Sequence, residues 1–83
     1  MKIQLTENEF NYFLSQNFFP EKYKGFLKNN IDVNFKLTIT EDDADEIREI
    51  CMDYLPVYGF DSNYELNEQG KILEKLIDKF FIG

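Results

Sequence analysis

The chain has 83 residues, with nine Lys and Arg against sixteen Asp and Glu, no His, one Cys and a net charge of −7. That length makes one small domain over residues 1–83, which buries only about 60–65% of the surface it exposes when unfolded. Without His, and with one Cys, zinc held by its usual ligands is excluded, as is an intrachain disulfide.

The negative charge is concentrated in the middle. Residues 1–30 and 70–83 each carry one net positive charge, whereas residues 31–69 hold eleven acids and two cations. Such a surface repels nucleic acid, whose recognition needs cations against phosphate, and suits a basic protein partner or solubility alone. Glu7 and Glu9 interrupt any apolar leader, and no apolar run is long enough to span a bilayer. The lone cysteine fits a reducing compartment, so a cytoplasmic location is expected.

Residues 2–5 alternate weakly and read as a short strand. Thr6 and Glu9 then have the spacing of a capping box, which opens a helix over about 7–18 with Phe10, Phe13, Leu14 and Phe18 on its buried side. Pro20 suits the first turn of a second helix, about 20–28, weakened at Gly25 and closed by Asn29 and Asn30. Residues 31–39 alternate without a break, Ile31, Val33, Phe35, Leu37 and Ile39 against Asp32, Asn34, Lys36 and Thr38, and predict a strand. A strand needs a mate; residues 2–5, residues 63–66 or a second copy of the chain could supply it.

Thr40 is placed to cap a third helix over 41–55, with Glu41, Asp42 and Asp43 at the positive end of its dipole. Pro56 predicts the stop, because the residue before a proline is pushed out of helical geometry. A loop with Tyr58, Gly59, Phe60 and Tyr64 follows. Asn67 reads as the cap of a fourth helix, about 68–81, with an apolar stripe of Ile72, Leu73, Leu76, Ile77 and Phe80 and an outer line of Lys71, Lys75 and Lys79. The fold class is therefore α+β, predominantly helical, with about four helices and a short two-stranded sheet from strands near 2–5 and 31–39. KIQLTENE at 2–9, KLTITEDD at 36–43 and, more loosely, YELNE at 64–68 echo one another, which shared capping chemistry explains better than duplication does.

The candidate site lies on the third helix. At about 100° per residue, Asp42, Asp45, Glu46, Glu49 and Asp53 fall within a stripe roughly 100° wide, opposite Ala44, Ile47, Ile50, Cys51, Tyr54 and Leu55. Like-charge pairs along this row cost about 0.2–0.5 kcal/mol each, and the dipole offsets only the first turn. Arg48 is the one cation in that helix and can reach Asp45. The row is either a solvated face or a docking surface that steers a basic partner. Tyr58, Asp61 and Tyr64 join it as candidate partner-binding residues, since tyrosine is enriched at binding hot spots, while Phe60 reads as closing the end of the core.

Other chemistry finds little support. Asp61 to Glu65 begins like a calcium loop, but Leu66 stands where the turn needs glycine and Ile72 where the bidentate glutamate belongs. Cys51 faces the core with no His to activate it, and there is no glycine-rich phosphate loop, so neither catalysis nor a cofactor or metal is expected. No basic recognition helix supports DNA binding. The sequence thus suggests a non-catalytic protein-binding module of the inhibitor or immunity type, covering a basic surface such as that of a nuclease or toxin. That rests on size and charge. The alternative is a small structural subunit that forms a homo-oligomer through strand 31–39, helix 68–81 and the apolar run Phe80-Phe81-Ile82.

Overall fold

The structure, a computed structural model, describes residues 1–81. Among them, in chain order, are β1 (Lys2–Gln4), α1 (Glu7–Ser15), α2 (Glu21–Asn30), β2 (Lys36–Thr38), α3 (Glu41–Tyr58) and α4 (Glu68–Lys79). This is the predominantly helical α+β fold that the periodicities call for. β1 and β2 pair antiparallel with Ile3 opposite Leu37, so the mate of the second strand is the N-terminal segment. The pairing extends one residue beyond the strands: the Ile39 amide donates to the Met1 carbonyl at 3.0 Å.

Each of the three sequence caps is made. The Thr6 hydroxyl accepts from the Glu9 amide at 3.1 Å while the Glu9 carboxylate accepts from the Thr6 amide at 2.8 Å, closing the capping box. Thr40 accepts from the Asp43 amide and Asn67 from the Gly70 amide, satisfying donors that a helix start leaves free. Pro20 caps α2 from outside it, a role that needs no amide hydrogen.

The apolar faces meet in one cluster. Phe13, Phe19, Leu27, Leu37, Ile47, Cys51, Leu73, Leu76 and Phe80 are essentially sealed from solvent, and Phe13 stacks on Phe19 with ring centroids 3.9 Å apart. Burying each large side chain of this kind contributes about 1.5–3 kcal/mol. α3 and α4 share the most extensive helix contact, so the acidic helix is held against the core by its partner in sequence.

Four sequence expectations are corrected. The strand expected over 31–39 is only three residues long, because the Asp32 carboxylate takes the amides of Asn34 and Lys36 and turns the chain; Val33, read as inward-facing, is 93% exposed. The first helix ends at Ser15 rather than near Phe18, and Phe18 lies in the turn that follows. α3 passes through Pro56 and ends at Tyr58, where the Gly59 amide caps the Leu55 carbonyl at 2.8 Å. The proline removes one intrahelical donor, and its own ring is exposed. α4 ends at Lys79; Phe80 is buried in the core, Phe81 is exposed, and Ile82 falls outside the described residues.

Those corrections bear on two of the features that suggested assembly through strand and helix. The strand has a mate of its own length, and the Phe80 side chain is spent inside the chain. No described helix is long and apolar enough to cross a membrane.

Candidate functional site

α3 is 18 residues long, about 27 Å at the usual helical rise. Ala44, Ile47 and Cys51 on one side are fully buried, whereas Asp42, Asp45, Glu46, Glu49 and Asp53 on the other are all exposed. The five carboxylates are thus exposed as the helical period predicts, while of the opposite face Ile50, Tyr54 and Leu55 are only partly buried; the acidic row runs for about 16 Å along the surface. Two of its members have partners within the chain. Asp45 lies 3.3 Å from Arg48, and Glu46 lies 3.9 Å from Lys22 of α2, both at the surface. Exposed pairs of this kind contribute about 0–1 kcal/mol. Asp42, Glu49 and Asp53 have no ion pair among the described residues.

Apolar side chains stand exposed toward the C-terminal end of the same helix and beyond it. Met52, Val57 and Tyr58 on α3 are each about half exposed, as is Phe60 just past the helix, and Tyr64 is 88% exposed. Tyr58 is thus on the helix, not in the loop, and it lies round the side from the carboxylates. Its ring sits 5.5 Å from Phe18 and 6.0 Å from Tyr54, near parallel to both. Phe18 in turn lies 4.6 Å from buried Phe19, so a ladder of rings leads from the core to the surface. Phe60 does not close the core as expected; its backbone bridges Leu66 while its ring remains 41% exposed.

Residues 60–66 hold the feature that sequence reading missed. Asp61 accepts the Asn63 amide at 2.8 Å and the Glu65 amide at 3.1 Å on one carboxylate oxygen, and Tyr64 has φ 60°. Residues 31–37 repeat this closely. Asp32 accepts the amides of Asn34 and Lys36 at 2.8 and 3.0 Å, Phe35 has φ 61°, and Ile31 bridges Leu37 as Phe60 bridges Leu66. Ile-Asp-Val-Asn-Phe-Lys-Leu and Phe-Asp-Ser-Asn-Tyr-Glu-Leu are one motif, apolar-Asp-x-Asn-aromatic-x-Leu, used twice. The repeated Asp-x-Asn-aromatic string was the available signal. Asp61 is therefore the residue that shapes the loop, and its carboxylate is engaged by backbone amides.

The two copies differ at the aromatic. A bulky side chain at positive φ costs on the order of 1–3 kcal/mol. Phe35 offsets this by half-burial, with its ring 5.7 Å from Phe10. Tyr64 has no such contact and points into solvent. The loop that presents it is held to α3 by Asn67, whose side chain donates to the Tyr58 carbonyl at 2.9 Å and whose amide donates to the Gly59 carbonyl at 3.0 Å.

Nothing in this arrangement resembles a nucleophile or a metal centre. Burial pushes the Cys51 thiol up to about 12, which keeps it protonated. Tyr12 is pushed up to about 12 by burial and, secondarily, by Cys51; its hydroxyl donates to Gln69. No three His, Cys, Asp or Glu side chains come together in a way that could hold a metal ion among the described residues. Two shallow hollows mark the surface. One, about 240 Å³, lies between α1 and α4 beside Glu9, Lys71 and Lys75, and the other, about 310 Å³, lies beside the sheet at Lys2, Asp32 and Lys36.

The Glu9 carboxylate, beyond its capping role, is 2% exposed and accepts from Lys79 at 2.6 Å, so the last of the three α4 lysines turns inward rather than outward. Comparison with known proteins gives no match: no family model, no curated protein and no solved structure corresponds to the chain.

Proposed function

We propose that this chain is a non-catalytic protein-binding module that covers a basic surface on another protein, in the manner of an inhibitor or immunity protein acting on a nuclease or toxin. The outer face of α3 is the docking surface. The observation that carries this reading is the pairing of an acidic row with an exposed apolar end on one rigid helix. Among the described residues Asp42, Glu49 and Asp53 lack internal counter-ions, and Met52 beside Asp53 and Val57 one turn beyond it stand exposed on the same helix. A solubilising face gains nothing from exposed Val and Met, whereas an interface uses charge to steer encounter and apolar side chains to hold the bound state.

On this reading the partner is a cytoplasmic protein with a cationic surface, and no cofactor takes part. Affinity should fall steeply as salt rises, since the row acts through a field that is screened within about 8–10 Å. The test is salt-graded capture on the immobilised protein, followed by affinity measurement on the identified partner. A double reversal, Glu49→Lys with Asp53→Lys, touches neither internal ion pair and should leave the fold intact while lowering affinity by about a hundredfold, mainly through slower association, within the range that electrostatic steering spans. A partner whose affinity ignores that reversal would sink the proposal.

A further inference from the structure

We infer that Tyr64 is a pre-positioned anchor that inserts its ring into an apolar cavity of the partner protein, a cavity rimmed by Lys or Arg. The inference rests on the docking role proposed above and adds a residue and a pocket chemistry to it. The argument comes from the two copies of one loop. Both force an aromatic residue into left-handed backbone geometry by the same two hydrogen bonds to an aspartate. In the first copy the ring is seated against Phe10 within the chain. In the second the equivalent ring is 88% exposed, at the apex of a loop that Asn67 ties to the end of α3. The seat for the second ring is therefore supplied from outside.

The rim chemistry follows from the neighbours. Asp61 and Glu65 flank Tyr64 in the same loop and are exposed with it, so the rim that meets them is cationic. A second copy of the chain is a poor occupant, because it would bring these like charges together between two chains of net charge −7 each. With its backbone fixed in advance, a tyrosine has only two side-chain torsions left to settle and loses little conformational freedom on binding, which is what a hot spot requires.

The test uses the full chain with a photo-reactive benzoyl-phenylalanine at position 64, expressed in its native host, with the same probe at Val33 as control. Val33 is 93% exposed on the twin loop and has no expected partner. The expected result is a covalent adduct from position 64, lost at high salt, whose joined peptide maps to an apolar cavity bordered by Lys or Arg. With the purified adduct protein as ligand, Tyr64→Asn should bind about thirtyfold more weakly, the scale of a hot-spot residue, and Tyr64→Phe within about threefold of the parent. Asparagine tolerates left-handed geometry, so the melting temperature of Tyr64→Asn should be equal to or above that of the parent, which separates lost contact from lost fold.

No adduct at 64, the same adducts from position 33, or an adduct between two copies of the chain would each overturn the inference. If Tyr64→Asn binds normally while the Glu49→Lys, Asp53→Lys double variant does not, the anchor fails and the acidic docking face survives. If neither change matters, both fail.

Discussion

Gly70 offers a sharp test of how the Tyr64 loop is held to the helices. In most exposed helix positions Gly→Ala gains about 1 kcal/mol. Here the sign reverses. A methyl group at Gly70 would collide with the Gly59 carbonyl oxygen and come within 2.7 Å of the Leu66 side chain and 2.9 Å of the Gly59 carbonyl carbon. Two of those three neighbours are backbone atoms of the residue that caps α3, and the Gly59 carbonyl also accepts the Asn67 amide at 3.0 Å. Relief therefore requires the whole start of α4 to move away from the end of α3. Overpacking of this kind costs about 1–3 kcal/mol, occasionally more. Loss of the Asn67 bond adds about 1 kcal/mol. Set against the propensity gain, the net is a destabilisation of about 1–3 kcal/mol, or roughly 5–20 °C in melting temperature for a domain of this size. The control is Gly25→Ala in α2, where a methyl group meets nothing within 4 Å, and which should stabilise by about 0.5–1 kcal/mol. Thermal melts of both variants by far-ultraviolet circular dichroism decide the matter. A Gly70→Ala protein that melts at or above the parent would refute the close approach of α3 and α4 on which the placement of Tyr64 depends.

Three further outcomes are expected. Lys79→Met leaves the buried Glu9 carboxylate with the Thr6 amide as its remaining donor, and should cost about 1–3 kcal/mol in urea unfolding, less than a fully buried pair because Lys79 is about one-third exposed; Glu9→Gln, which keeps the cap acceptor, should cost less than Glu9→Ala. Hydrogen bonds from the Lys36 and Asn34 amides, aided by the nearby lysines, hold the Asp32 carboxyl below its ordinary value of 3.8. Its stabilising contribution is therefore present above that value and lost as pH falls through the lower folded one, so the stability gap between the parent and Asp32→Ala should narrow in acid melts below about pH 4. Cys51, buried and raised to about 12, should react with a thiol reagent no faster than the protein opens; rapid labelling of the native protein at pH 8 would contradict its placement.

What was legible in the chain was whatever local chemistry decides alone. Thr6 with Glu9, Thr40 and Asn67 mark helix starts because their side chains compete for amides that a helix leaves unpaired, and the structure uses all three. The split of α3 into buried and charged faces follows from its period. Residues 31–39 misled because alternation says which side a residue faces only if the backbone stays extended. Asp32 captures two amides and turns the chain at Val33 and Asn34, leaving just Lys36 to Thr38 in the sheet. Pro56 misled because the bias against helical geometry before a proline is one that packing overrides here: Tyr58, in the turn after it, stacks on Phe18, and the Gly59 amide closes on the Leu55 carbonyl. The burial of Glu9 was illegible because its counter-charge lies at the far end of the chain.

The placement of the cations also bears on why the acidic row is left open. The chain has nine Lys and Arg, enough to cover five carboxylates if they were directed there. Only Lys22 and Arg48 come within ion-pair distance of the row. Lys24 pairs with Glu21 on its own helix, Lys71 with Glu68, and Lys79 with Glu9. Lys75 lines the hollow between α1 and α4, and Lys2 and Lys36 line the one beside the sheet. The fold thus keeps most of its positive charge away from the outer face of α3, leaving a one-signed surface there. At physiological salt the field of that surface reaches only about 8 Å, so it acts on a partner already in near contact and aligns it along the helix. Alignment along α3 brings the partner to the apolar turn at Met52 and Val57, where binding must be held by contact rather than by charge. Raising salt should therefore slow association far more than it speeds dissociation, and stopped-flow measurement of both rates on an identified partner would test that split. A dissociation rate that carried most of the salt dependence would mean that the carboxylates are the bound contacts themselves and not the guide to them.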